Sequence, residues 1–345
     1  MSEKMTVLRY QMRFLTPAFL GDAEQSARWR TPPVKALLRQ FWRMSYAADH
    51  GFNVDMERMR HEEGLLFGHA GLKGDINERG QEVAARRSLV RIRLADPSNP
   101  DDPAWTAGTQ HGVSPLSDGL PTSYAWYGLV KRGSGMPDRS AIKPGQPKES
   151  ERLLQIAAPT VYAEKLRHIM QWVGMFGALG ARSRGSWGSL ELNGEGMQAL
   201  TPHALMHGAQ GLDDCLSSDW PAALAQDARG LCCWESRQTW SSWDQALRTV
   251  AFARKEARTA LKEIGTLDLR AALGFAATGR MPSPLRWKVV PRDGNLAIRV
   301  FAMPHALPAG NGKSISPPNL LRAWMTAIST LDGNANFQRF SGKEA

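Results

Sequence analysis

Cysteine is scarce in this chain: Cys215, Cys232 and Cys233 are the whole complement of 345 residues. No pair has Cys-x-x-Cys spacing, adjacent cysteines do not ordinarily bridge each other without strain, and an odd count leaves no complete disulfide framework. Buried thiols are the expected role. Long apolar runs are missing too. No stretch approaches the roughly 20 apolar residues of a membrane-spanning helix, and the start MSEKMTVLRY has no apolar signal-peptide core. The expectation is a cytoplasmic protein with no membrane partner. The eight histidines are scattered, and His61 and His69 have no carboxylates at ligand spacing around them, so neither a metal site nor a cofactor is expected. Nucleotide-binding loops are absent as well. A Walker loop ends in Gly-Lys-Ser/Thr, whereas Gly185 is followed by Ser186 and Trp187. A dinucleotide fingerprint runs from strand to helix, and the glycine-rich run here leads the other way.

Positive charge is what the chain has in excess. Lys and Arg total 43 against 33 Asp and Glu, giving a net charge of +10 and a pI near 9.8, a balance that points to a polyanionic partner, nucleic acid first. The glycine-rich run GALGARSRGSW, residues 177–187, places Arg182, Ser183 and Arg184 between Gly180 and Gly185. Glycine lets a backbone approach an anion closely and arginine supplies a planar fork of donors. The same residues also describe a plain solvated turn, and the run contains no carboxylate or histidine that would move a proton.

Residues 7–14 alternate as a strand, with Leu8, Tyr10, Met12 and Phe14 on one face. RTPPVKALLRQFWR then starts a helix, with Thr31 as cap, Pro32 in the first turn and Val34, Leu37, Leu38, Phe41 and Met44 as the buried stripe. Lys35, Arg39 and Arg43 recur four apart beside that stripe, preceded by Arg28 and Arg30, and no acidic residue lies between Arg28 and Arg43. Residues 96–150 read as a long insertion. Helical spacing resumes from Tyr162 to Phe176 and from Trp243 to Ile264, Asp293-Gly294 signals a hairpin, and a last helix carries Leu320 to Leu331. LLFGHAG before RRSLVRI in one half is matched by ALGFAATG before RMPSPLRWKV in the other, a parallel that suggests duplication. The expected organisation is an α+β chain with one domain over 1–195 and a second over 196–345.

These segments resemble the RAMP superfamily of CRISPR-associated proteins. The likeness rests on FLTPAFLGDAEQSARWRTPPVKALLRQFWR, LLFGHAG with RRSLVRI, GALGARSRGSWGSL and GRMPSPLRWKV, and extends from near residue 6 to near residue 305. Within the superfamily the chain is most similar to the first-numbered subunit of the type III-B Cmr effector complex. The resemblance implies two tandem ferredoxin-like, RRM-like domains in an RNA-guided ribonucleoprotein, with crRNA, target RNA and other effector subunits as partners. It implies a place near the crRNA 3′ region and no cutting role. By position it would turn Arg30, Lys35, Arg39, Arg43, Arg182, Ser183 and Arg184 toward RNA, with Arg28, Gly180, Gly185 and Arg280 in the same segments. The chain departs from the family pattern at Leu20–Asp22, where Gly-Gly is common, and at Ala36, where glycine is usual. The alternative within the superfamily is an endoribonuclease, for which His50, His61, His69, His111 and Asp22 are the candidate groups. Trp29, Trp42 and Trp187 lie beside the arginines and read either as base-stacking platforms or as core.

Overall fold

The structure, a computed structural model, describes residues 4–23, 26–95, 104–105, 121–126, 128–129, 140–145, 151–262, 264–265, 267–275, 280–308 and 315–340. Most of the expected insertion, with His111, lies outside the described residues.

Strand β1 (Met5–Phe14) buries Leu8, Tyr10, Met12 and Phe14 and turns Val7, Arg9 and Gln11 to solvent, as a period of two requires. Helices α1 (Thr31–Asp49) and α2 (Met56–Phe67) follow, then strands β2 (Arg91–Leu94) and β3 (Arg152–Pro159), helix α3 (Ala163–Phe176) and strand β4 (Leu190–Gly194). The strands form one sheet in the order β2-β3-β1-β4, every pairing antiparallel. Val34, Leu38 and Phe41 of α1 and Leu166, Ile169 and Val173 of α3 bury one face of that sheet. Thr31 does not cap α1: Arg30 holds the cap position with extended backbone and makes no side-chain bond, because the proline-bearing first turn already begins at Thr31.

The second half repeats this plan. Strand β5 (Cys233–Ser236), helix α4 (Trp243–Thr259), strands β6 (Leu285–Arg292) and β7 (Asn295–Ala302), helix α5 (Pro317–Gly333) and strand β8 (Phe337–Arg339) form an antiparallel sheet ordered β6-β7-β5-β8. Asp293 and Gly294 join β6 to β7 with φ of 51° and 74°, and Arg292 pairs directly with Asn295, the two-residue hairpin the sequence signalled. The short matching motifs also share their local geometry. Gly68 and Gly274 both have positive φ, and a Cβ would stand 2.7 Å from the Arg86 carbonyl oxygen in one and 2.8 Å from the Met281 carbonyl oxygen in the other. Beside them Ser88 donates to the Val90 carbonyl at 2.6 Å, and Ser283 to the Leu285 carbonyl at 2.7 Å.

The two sheets differ in what covers their outer faces. On β6, Leu285, Trp287 and Val289 join the core under α4 and α5, while Lys288 points the other way, toward the first half. Phe301 of β7 packs on Phe176 with ring centroids 4.8 Å apart. Lys288 donates to the Gly174 carbonyl, and Arg299 donates to the Met175 carbonyl at 3.0 Å. Cations from the second sheet thus close the end of α3, whose last turn carries no basic residue of its own. Cys215, Cys232 and Cys233 are buried free thiols, each raised to about 12 by burial.

Candidate nucleic-acid interface

The basic helix is less free than its sequence suggests. Glu63, buried to 2 % exposure on α2, accepts from Arg39 Nε at 2.7 Å and from Arg43 Nε at 2.9 Å. Arg28 pairs with Asp22 at 2.8 Å. Both acids fall outside the 28–43 window, and the packing of α2 on α1 brings Glu63 in. A carboxylate on the buried stripe of α2, in line with Met59, Leu66 and Phe67, was the available sign that a cation must meet it. Arg30 stays exposed, and Lys35 stands half-buried beside Arg39, where burial first and Arg39 second lower its ammonium below the ordinary value.

The glycine-rich run is neither an open turn nor a bare cradle. A Cβ at Gly180 would stand 2.7 Å from the Phe19 carbonyl oxygen, one at Gly188 would collide with the Leu179 carbonyl oxygen, and one at Gly185 would strike the Arg254 guanidinium. These glycines answer to protein contacts. The run also covers the outer edge of β6: Trp287 N donates to the Arg184 carbonyl at 3.2 Å, and Val289 N donates to Ser189 Oγ at 2.9 Å. Gly185 and Trp287 form a parallel bridge. Arg182 adopts a φ of 60° and lies next to Gly128, and Ser183 is partly exposed.

Arg184 is the run's most consequential side chain. Its Nη1 donates to the Ser283 carbonyl at 3.2 Å, beside the segment that carries Arg280. Burial first, then the charge of Arg280, pushes its guanidinium down to about 10, so it remains charged at neutral pH. The structure thus brings Arg184 and Arg280 into one electrostatic neighbourhood and adds two residues that the sequence had not flagged, Arg286 and His305. Burial lowers both, and Arg184 adds to the effect on each. Their signal in the sequence was faint: Arg286 is the second residue of a strand whose first six residues, Leu285 to Val290, are all buried.

A third basic surface is the outer face of the first sheet. Arg9 and Arg93 lie directly across from Gln155, one on each side, and Arg91 is two residues along. Arg9, Arg91 and Arg93 are exposed, and among the described residues no ion pair holds them.

The aromatic and acid-base candidates are placed elsewhere. Trp29, Trp42 and Trp187 are 4 %, 5 % and 0 % exposed, so they are core and present no stacking platform. Arg152 lies over Trp29 at 5.4 Å, and Trp187 donates to the Ala125 carbonyl at 3.0 Å. His69 Nε2 is 2.7 Å from Asp75, which also takes two bonds from Arg86; those bonds first, against burial, hold the Asp75 carboxyl well below the usual range. His50 stacks on Tyr46 and bonds its carbonyl at 2.8 Å. His50, His69 and Asp22 do not converge on one another, and His61 is half-buried on α2.

Among solved structures the chain is similar to Cmr1 from Pyrococcus furiosus in its apo form, at 18 % identity, with 94 % of this chain and 96 % of that chain covered and a TM-score of 0.53. The chain has the fold of Cmr1. It is also similar, at 10 % identity and a TM-score of 0.50, to a chain of the type III-B Cmr-beta assembly bound to cognate target RNA, over 94 % of this chain and 99 % of that one. No family model and no curated protein matches the sequence. Among the described residues no helix is long and apolar enough to cross a membrane.

Proposed function

We propose that this chain is an RNA-binding subunit of a type III-B, Cmr-like CRISPR effector complex, contacting crRNA and target RNA without cutting either. The observation that carries the reading is the likeness to Cmr1 along nearly the full length of both chains. The repeated β-α-β-β-α-β succession with one strand order supports a reading of the halves as tandem ferredoxin-like domains, within 1–195 and 196–345. Exposed, unpaired arginines on the first sheet, Arg30 at the start of α1, and the Arg184–Arg280 neighbourhood supply the separated cations that a phosphate backbone needs. Asp22 and His69 are each already engaged by a partner, which favours binding over acid-base work.

Titration of single-stranded RNA against the full chain at several salt concentrations tests this. Binding is expected to show little sequence preference, with a log-log salt slope of about −0.7 for each phosphate neutralised. Arg30→Ala with Lys35→Ala is expected to weaken binding while leaving the fold intact. A slope near zero would remove RNA as the partner. Discrete cleavage of labelled RNA, lost on substituting His50, His61, His69 or Asp22, would establish the endoribonuclease reading instead.

A further inference from the structure

Arg286 is 6 % exposed, and its Nε and Nη2 have no hydrogen-bond partner. Its neighbours on the same face of the second sheet each have a partner: Lys288 in the Gly174 carbonyl, Arg299 in the Met175 carbonyl and in Glu235 at 3.0 Å. Strand β6 therefore carries two buried basic side chains on one face: Lys288, whose Nζ reaches the Gly174 carbonyl and whose ammonium burial pulls well below its ordinary value, and Arg286, whose Nε and Nη2 reach no partner. A guanidinium does not shed its proton in a protein, so the cost of burying it unpaired persists until a counter-charge arrives.

The surroundings supply none. The charges that act on Arg286, Arg184 and His305 are one another's and that of Arg280, and no carboxylate of the described residues is among them. Arg184 is fixed by the Ser283 carbonyl and by its own backbone bond to Trp287, so its guanidinium is held in place. Arg280 is exposed, which carries the positive potential from the buried pair out to the surface.

We propose that Arg286 and Arg184 form a seat for a single phosphodiester group of a bound RNA strand, set into the seam between the two halves and completed by that anion. The identity of the occupant rests on the RNA-binding reading above; the seat itself does not. Two planar guanidiniums present forked donors that match phosphate oxygens, and a strand crossing Arg280 delivers one phosphate inward while its neighbours remain on the surface. The site discriminates against uncharged ligands, because only an anion relieves the unpaired charge.

The test uses the full chain and its Arg286→Met and Arg184→Met variants. Melting temperature is measured in inorganic phosphate against chloride at equal ionic strength, and affinity for single-stranded RNA is measured across salt concentrations. The wild type is expected to melt higher in phosphate than in chloride. Arg286→Met is expected to melt above the wild type in chloride, having lost an uncompensated charge, and to lose the phosphate response. Its RNA affinity is expected to fall about 10- to 100-fold, with a salt slope shallower by about 0.7. A phosphate response that survives in Arg286→Met overturns the seat. A lost phosphate response with unchanged RNA affinity and slope overturns RNA as the occupant and leaves an acidic group of a protein partner. If the wild type binds no RNA at all, the functional reading fails while the phosphate arm still decides the seat. Should Arg286→Met not fold, Arg184→Met reads the same two quantities.

Discussion

Glu63 changes what the basic helix means at the level of single residues. Lys35, Arg39 and Arg43 look equivalent by spacing, yet Arg39 and Arg43 share one buried carboxylate while Lys35 meets only Arg39's charge. Charge removal is therefore not uniform along the helix. Arg39→Ala with Arg43→Ala strands Glu63 in the core without a partner, and we expect a loss of about 3 kcal/mol in urea unfolding. Lys35→Ala should change stability by less than about 0.5 kcal/mol in the same measurement. Equal effects of the two substitutions would show that the Glu63 pairing contributes nothing.

The glycine-rich run shows the same effect in a whole element. Its composition fits an anion cradle, and its Arg184 does reach a cationic cluster, but Gly180 and Gly188 are required by the backbone of Phe19 and Leu179. A comparison with the hairpin turn separates backbone strain from collision. Gly294 has positive φ with nothing near a prospective Cβ, so Gly294→Ala should cost about 1–2 kcal/mol from backbone conformation alone. Gly188 also has positive φ, and its Cβ would meet the Leu179 carbonyl, so Gly188→Ala should cost several kcal/mol more, or fail to fold. Denaturant unfolding of the two variants checks this, and a cost at Gly188 no larger than at Gly294 would mean the run yields easily. The run is a rigid mount for Arg184 and not a flexible wrap.

For the whole molecule, the decisive feature is that one sheet face is spent on the seam and its counterpart is left open. Arg299 ties the halves by donating to the Met175 carbonyl and lying over the Phe176 ring at 5.8 Å, while Glu235 of its own sheet holds its guanidinium. Arg299→Ala leaves Glu235 largely buried without its partner and the Met175 carbonyl at the end of α3 without its donor. We expect a loss of about 3 kcal/mol in urea unfolding and faster amide exchange at Gly177 and Leu179. Unchanged exchange there would show that the seam does not hold the helix end. The elements themselves were legible in the sequence because they are set by local chemistry. Alternation gave β1, the Val34–Leu38–Phe41 stripe gave α1, Asp293-Gly294 gave the hairpin, and paired Gly and Ser motifs marked the repeat. The charge balance carried only an expectation, that of an anionic partner. Which cations remain available for that partner was decided by tertiary structure, because ion pairing and burial join residues far apart in the chain. Glu63 neutralises arginines 20 and 24 positions away. Arg286 is left without a counter-charge because the chain folds the first half over its sheet and brings Arg184, from about a hundred residues earlier, beside it as another cation.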